Sequence, residues 1–304
     1  WETPGGPQLI SKAIAEVPVA NRFPHPKTWF SRENGQKAYE MMSCYEGLLE
    51  LYKVTGNPLY LSVVEKTVGH IVREEINVAG SGSAFECWYG GKERQTQPTY
   101  HTMETCVTFT WMQLCNRLLQ MTGNSLYADY METAIYNALM ASLKADASQI
   151  AKYSPLEGWR HEGEEQCGMH INCCNANGPR AFAMIQDDCV RVNFYAPSEA
   201  ELVLPDKKPV RLKQTTDYPR TDQIEIEVDP AKETAFTIAL RIPAWSKIAV
   251  VSVNGQPQDG VLQGAYLPVN RKWKKGDRIT VKLDLRARLV ERNQAQAIVR
   301  GPIV

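Results

Sequence analysis

A helical first part followed by an antiparallel β second part is the fold class this sequence predicts, and three observations predict it. Residues 51–67, LYKVTGNPLYLSVVEKT, are echoed at 118–134, LLQMTGNSLYADYMETA, where Leu, Thr-Gly-Asn, Leu-Tyr and Glu recur at one fixed offset. Self-similarity on this scale marks stacked supersecondary units. Past residue 188 the hydrophobic period changes from that of a helix to the two-residue period of a half-buried strand. Turn dipeptides then punctuate the strand-like runs.

Taken in order, each copy of the echo ends one helix at Gly56 or Gly123 and offers Asn57 or Asn124 as the cap of the next. Pro58 stands at the favoured first helical position in the first copy. A helical hairpin is therefore written twice. Tyr45, Leu48, Leu49 and Tyr52, and then Met131, Ile135 and Leu139, keep helical spacing and read as core. The stretch from about 34 to 143 is mostly α, with an irregular insertion at 77–102 and a long loop at 144–179. Val190, Val192 and Phe194, then Ile224, Ile226 and Val228, then Phe236, Ile238, Leu240 and Ile242 alternate with polar residues as antiparallel strands do. Asn254-Gly255 signals a hairpin and Gly276-Asp277 another turn, so a β-sandwich follows the helices. The expected division falls at 1–187 and 188–304.

Composition narrows the function classes. The chain is 43% hydrophobic and 22% charged, with 34 basic and 34 acidic residues. A zero net charge gives no electrostatic case for nucleic acid or an anionic membrane. No apolar run reaches the roughly 18 residues of a transmembrane helix. No signal peptide is visible, but Trp1 is no natural start and Arg300-Gly301-Pro302-Ile303-Val304 stops in mid-pattern, so the chain reads as a fragment cut at both ends. The compartment stays open.

The chemistry concentrates in four side chains. Cys173 and Cys174 are adjacent in Asn172-Cys173-Cys174-Asn175-Ala176-Asn177-Gly178, and Glu104-Thr105-Cys106 lies upstream near the start of a helical stretch. Three thiolates and a carboxylate suit Zn²⁺ or Fe²⁺ better than Mg²⁺ or Ca²⁺. Neither pair is a C-x₂₋₄-C knuckle. Because i and i+2 do not share a helix face and adjacent strand residues point apart, both pairs are expected on irregular backbone. The competing reading is that these cysteines are buried small hydrophobes or half of a disulfide framework. Eight cysteines in 304 residues is below the density of a disulfide scaffold. Cys44 and Cys115 fall inside helical apolar patterns and read as core.

Glu86-Cys87-Trp88-Tyr89-Gly90-Gly91, Tyr100-His101-Thr102-Met103-Glu104-Thr105-Cys106, Gln166-Cys167-Gly168 and Cys173-Cys174-Asn175-Ala176-Asn177, followed by Arg241-Ile242-Pro243-Ala244-Trp245-Ser246 and Val253-Asn254-Gly255, together resemble the β-L-arabinofuranosidases of glycoside hydrolase families 127 and 146. The resemblance runs from about residue 36 to the end. It implies an (α/α)₆ barrel, of which this chain would hold only the C-terminal part, followed by the β-sandwich.

It further implies a retaining exo-glycosidase acting on terminal β-L-arabinofuranosides of plant-type glycans. Glu104, Cys106, Cys173 and Cys174 would bind zinc, with Cys173 doubling as nucleophile. Glu86 would be the acid/base, with Glu93 its competitor for the register, and Trp88 and Tyr89 would give it an apolar setting. Tyr153, His101 and His170 would line the pocket. Cys44 stands where some relatives carry a sugar-binding His, which leaves the sugar itself open. Two other classes stand beside this one: a non-catalytic sugar-binding protein with a structural zinc, and a carboxylate-only lyase or hydrolase whose thiols are incidental.

Overall fold

The computed structural model describes residues 2–22, 36–97, 101–160, 172–184, 190–204 and 206–304. Its helical part opens with the short α1 (Leu9–Ile14), then β1 (Gln36–Lys37), α2 (Ala38–Thr55), α3 (Pro58–Glu74), β2 (Cys87–Trp88), α4 (Gly91–Arg94), α5 (Thr105–Thr122), α6 (Leu126–Ala134), α7 (Met140–Ser142) and α8 (Cys173–Ala183). The two copies of the echo are the hairpins α2–α3 and α5–α6. Gly56 and Gly123 close α2 and α5 in the left-handed conformation, at φ 68° and 69°. Asn57 caps α3 by accepting the Leu59 N–H, and Asn124 accepts the Leu126 N–H in the same way. A π-turn at Ile135–Leu139 joins α6 to α7.

α5 is the central helix. It packs on α2, α6 and α8, and 12 of its 18 residues are buried, as expected of a helix covered nearly all round. Its N-terminal end is therefore deep in the protein. Tyr45, Leu48, Leu49, Met131, Ile135, Leu139 and Cys115 join the helical core, while Cys44 lies half-buried against it.

The β part contains β3 (Arg191–Val192), β4 (Ser198–Val203), β5 (Pro209–Thr216), β6 (Gln223–Pro230), β7 (Thr234–Ile242), β8 (Ala249–Val253), β9 (Gln256–Pro257), β10 (Ala265–Trp273), β11 (Asp277–Leu283), β12 (Ala287–Arg292) and β13 (Ala295–Arg300). A six-stranded sheet ordered β4-β5-β6-β11-β8-β9 faces a three-stranded sheet ordered β10-β7-β3. Inward residues of both, including Ile224, Ile226, Val228, Ile238, Leu240 and Ile242, form one core. The pairing is antiparallel except for β3 against β7. Asn254 and Gly255, at φ 50° and 79°, make the two-residue turn between β8 and β9, which needs positive φ at both positions.

The parts are joined by buried polar contacts. Arg241 on β7 forms ion pairs with Asp129 and, at 2.7 Å, with Glu132, both on α6. Tyr218 Oη and Trp245 Nε1 donate to Glu132 at 2.8 and 3.1 Å. The Arg-Ile-Pro-Ala-Trp-Ser motif is thus the seam between helices and sandwich.

Candidate active site

Two helix N-termini meet at the sulfur cluster. Glu104 is the N-cap residue of α5, in extended backbone at φ −57° and ψ 133°, and Cys106 lies in the first turn. Cys173 and Cys174 open α8, whose N-cap Asn172 accepts the Cys174 N–H at 3.0 Å while Asn175 Oδ1 accepts the Asn172 N–H at 2.8 Å. The expectation of irregular backbone is corrected here, as is the loop expected to run to residue 179. For Glu104 and Cys106 the face rule fails because it describes helix interiors, whereas a cap residue has non-helical dihedrals and can turn its side chain beside that of the first turn, while Cys173 and Cys174 are the first two residues of a helix, where strand alternation does not apply. A helix N-terminus also favours anions, thiolates included.

The four donor atoms of Glu104, Cys106, Cys173 and Cys174 lie within 4.8 Å of one another. Cys106 Sγ is 3.2 Å from Cys173 Sγ and 3.1 Å from Cys174 Sγ. Glu104 Oε1 is 3.8 Å from the Cys173 sulfur and 3.6 Å from that of Cys174. Sulfurs at about 2.3 Å from a tetrahedral zinc stand about 3.8 Å apart, so adjustments of a fraction of an ångström would fit one. None of the cysteines described is in a disulfide.

Charge points the same way. Burial raises the Glu104 carboxyl well above its ordinary range, helped by the nearby charges of Glu86 and Cys173. The Cys173 thiol is drawn far down by hydrogen bonds from Cys106 and Cys174; the bond to Cys173, with burial, drives Cys106 up, and bonds with Cys106 and Cys173, with burial, drive Cys174 up. Negative charge is favoured on Cys173 and disfavoured on Cys106, Cys174 and Glu104. A bound divalent cation would relieve the rest, so the residues fit the metal that the donor set suggests. Asn177 Nδ2 donates to Cys106 Sγ at 3.2 Å and is itself held by Arg180 at 2.9 Å.

Exposure separates the three thiols. Cys106 and Cys174 are buried and Cys173 is exposed. Gly178 lets α8 press close to the segment beside it, since a Cβ there would meet the Ile150 side chain at 2.2 Å.

Of the remaining sequence candidates, Tyr153 and Glu86 lie beside Glu104, and His101 packs against Tyr153. Tyr153 bridges through its backbone to Glu104, and His101 stacks on Phe85 at 4.4 Å and meets Tyr153 edge-on at 5.0 Å. Glu86 sits at φ 70°, its backbone oxygen accepting the Ala38 N–H at 2.9 Å. Its carboxylate pairs with Lys37 on one oxygen and with Lys152 on the other, at 2.8 Å. This is an ionic setting, where Trp88 and Tyr89 had suggested an apolar one. Glu93 instead stands on α4, largely exposed and paired with Arg292 of β12. His170 lies outside the described residues.

Three contributors escaped the sequence reading: the two lysines and Glu75. The last is a buried carboxylate that accepts the N–H groups of Tyr89, Gly90 and Gly91 at 2.9–3.1 Å and pins the loop after Glu86. No spacing rule flags a lone lysine or glutamate.

Comparison with known proteins gives a consistent answer. Residues 16–187 match the family described as β-L-arabinofuranosidase, GH127 catalytic domain, and residues 189–285 its GH127 middle domain. A non-reducing end β-L-arabinofuranosidase of Bifidobacterium longum subsp. longum is 25% identical over 235 residues, covering 66% of this chain and 34% of that protein. A solved GH127 β-arabinofuranosidase superposes with a TM-score of 0.75 at 25% identity, covering 97% of this chain and 51% of that one. A GH127 β-L-arabinofuranosidase from Geobacillus stearothermophilus T6 does so at 0.72 and 22% identity, covering 88% and 46%. The chain spans about a third to a half of the length of these relatives.

Proposed function

We propose, from the premise that this chain belongs to the GH127 β-L-arabinofuranosidase family, that it carries the chemical centre of a retaining exo-glycosidase that releases terminal β-L-arabinofuranose from plant-type glycans. The observation that supports this most directly is a buried Glu104-Cys106-Cys174 set with a fourth donor, Cys173, open to solvent. Four protein donors would fill a tetrahedral zinc and leave no open position on the metal, so the reactive atom in this reading is the solvent-facing ligand sulfur, that of Cys173.

Glu104, Cys106, Cys173 and Cys174 would hold the zinc, which when bound keeps the sulfurs deprotonated near neutral pH. In the first step Cys173 Sγ attacks the anomeric carbon. The C–S bond forms as the glycosidic C–O bond breaks, and Glu86 gives its proton to the departing oxygen. In the second, a water oxygen attacks the same carbon from the face the leaving group vacated. Glu86 takes the water's proton, and the C–S bond breaks to return Cys173 as thiolate. Two inversions leave the configuration retained. Asn177 and the paired caps of α5 and α8 hold the sulfurs in place meanwhile.

The test is hydrolysis of a panel of nitrophenyl glycosides by the full-length protein, with and without a chelator, together with metal analysis. The reading expects the β-L-arabinofuranoside to be preferred, about one zinc per chain, and loss of turnover on chelation. Full activity without metal would refute the mechanism. Metal without hydrolysis of any glycoside would favour the sugar-binding alternative.

A further inference from the structure

We propose that Lys152 is a positioning residue that sets where Glu86 stands relative to the sulfur cluster; the role rests on the function proposed above. The Lys152 carbonyl accepts the N–H of Thr105, the residue between Glu104 and Cys106, at 2.9 Å. The Lys152 ammonium holds Glu86 Oε1 at 2.8 Å. One residue therefore joins the start of the ligand-bearing helix to the carboxylate that must stand across the sugar from Cys173.

The tether is short and fixed at its base. Ala151 oxygen accepts the Thr105 hydroxyl at 2.7 Å, the Ala151 N–H donates to Ser142 oxygen at 2.7 Å, and the Ser154 N–H donates to Thr102 oxygen at 3.1 Å. Tyr153, the next residue, bridges Glu104. Lys152 itself is 5% exposed, so its stem has little freedom. Lys37 plays a different part. Its backbone pairs with Cys87, the residue after Glu86, so its ammonium ties the carboxylate back to the β1–β2 pair that Glu86 itself leads into. Lys152, by contrast, spans from Glu86 to the start of α5, the helix that carries Glu104 and Cys106. Glu86 also needs holding because its backbone lies at positive φ, next to Phe85 at φ 46°, a conformation that persists in non-glycine residues only where surroundings over-determine it.

The experiment compares Lys152→Met, which keeps the stem and removes the charge, with Lys152→Arg, which restores a cation, in the full-length protein. The substrates are nitrophenyl β-L-arabinofuranoside, whose leaving group needs little protonation, and methyl β-L-arabinofuranoside, whose leaving group needs much. A displacement of about 1 Å can cost on the order of 10²-fold. Lys152→Met should accordingly lose about 10²-fold in kcat on the methyl glycoside and under about tenfold on the nitrophenyl one, with KM, zinc content and melting temperature near those of wild type. Lys152→Arg should recover most of the loss. Glu86→Gln/Lys152→Met should be no worse than Glu86→Gln alone, since the two act as one unit.

Unchanged kcat in Lys152→Met would overturn the proposal. So would an equal loss on both substrates accompanied by lost zinc or a lower melting temperature, which is the signature of a merely structural lysine. Wild-type protein inactive on both glycosides would instead sink the proposed function, and the positioning role with it.

Discussion

Replacing Arg241 by methionine removes the cation at the seam between the helices and the sandwich and leaves Asp129 and Glu132 facing each other in a buried site. Arg241 is fully buried, with its Nε donating to Asn193 oxygen at 2.5 Å and its guanidinium serving both carboxylates. After substitution Asp129 keeps only the Ala244 N–H at 2.9 Å, and Glu132 keeps Tyr218 and Trp245. Neutral donors of that kind do not compensate two buried charges, and stripping one partner from a buried ion pair typically costs about 3–5 kcal/mol. At about 2–4 °C per kcal/mol for a chain of this order of size, the melting temperature should fall by roughly 6–20 °C in calorimetry at pH 7.5. The deficit should shrink at pH 5, where the stranded Asp129 carboxyl, already pushed up by burial, takes up a proton. Adding Asp129→Asn and Glu132→Gln should return several degrees, because the residual cost is uncompensated charge and not lost volume. A loss below about 1 kcal/mol, or one that does not depend on pH, would refute the reasoning.

The remaining predictions concern the site and the buried carboxyls. Cys106→Ser should lose both zinc and turnover, measured by metal analysis and nitrophenyl release; full metal occupancy would remove Cys106 from the ligand set. A haloacetamidyl or cyclophellitol-type arabinofuranoside should label Cys173 alone, with mass spectrometry locating the adduct, and a label on Cys174 or Glu104 would exchange the roles. Glu86→Gln should lose about 10²–10⁴-fold on a natural glycosidic bond, far less on an activated aryl glycoside, and recover deglycosylation with azide; Glu93→Gln is the control, and azide rescue there would transfer the role to Glu93. Burial raises Glu46 to about 7 against the pull of Arg117 and Arg180. Its folded value thus exceeds its unfolded one, and the stability present below about pH 4.5 is lost as pH rises to about 7, by up to about 3 kcal/mol. Urea titrations of Glu46→Gln should show a flatter loss over that window, although Glu75, likewise raised by burial to about 7, retains part of the slope.

What could be read in the sequence was whatever is encoded locally. The hairpins announced themselves because Gly56-Asn57 and Gly123-Asn124 each carry a stop and a start within two residues, and a repeated pair is hard to produce by chance. Asn254-Gly255 was legible for the same reason, because few dipeptides tolerate two positive φ angles. The site was legible in composition: three cysteines and a glutamate drew notice wherever they lay, and the fold brings them within 4.8 Å. Its backbone was misjudged for two reasons: the helix-face rule was applied to Glu104, a cap residue that escapes helical geometry, and strand alternation was applied to Cys173 and Cys174, which open a helix.

The lysines were invisible for a deeper reason. Lys37, Glu86 and Lys152 belong to three segments far apart in the chain, and an ion pair across such distances leaves no periodicity, no spacing and no turn chemistry behind. The Glu86 register shows what such contacts decide. Sequence left Glu86 and Glu93 as competitors seven residues apart. Tertiary contacts set them apart: Glu86 is held near Glu104 by the ammonium groups of Lys37 and Lys152, while Glu93, largely exposed, pairs with Arg292 of β12. Proton transfer to a departing sugar oxygen demands a fixed position, which the network around Glu86 supplies and the surface pair of Glu93 does not, and azide rescue of Glu86→Gln against Glu93→Gln is the measurement that assigns the role.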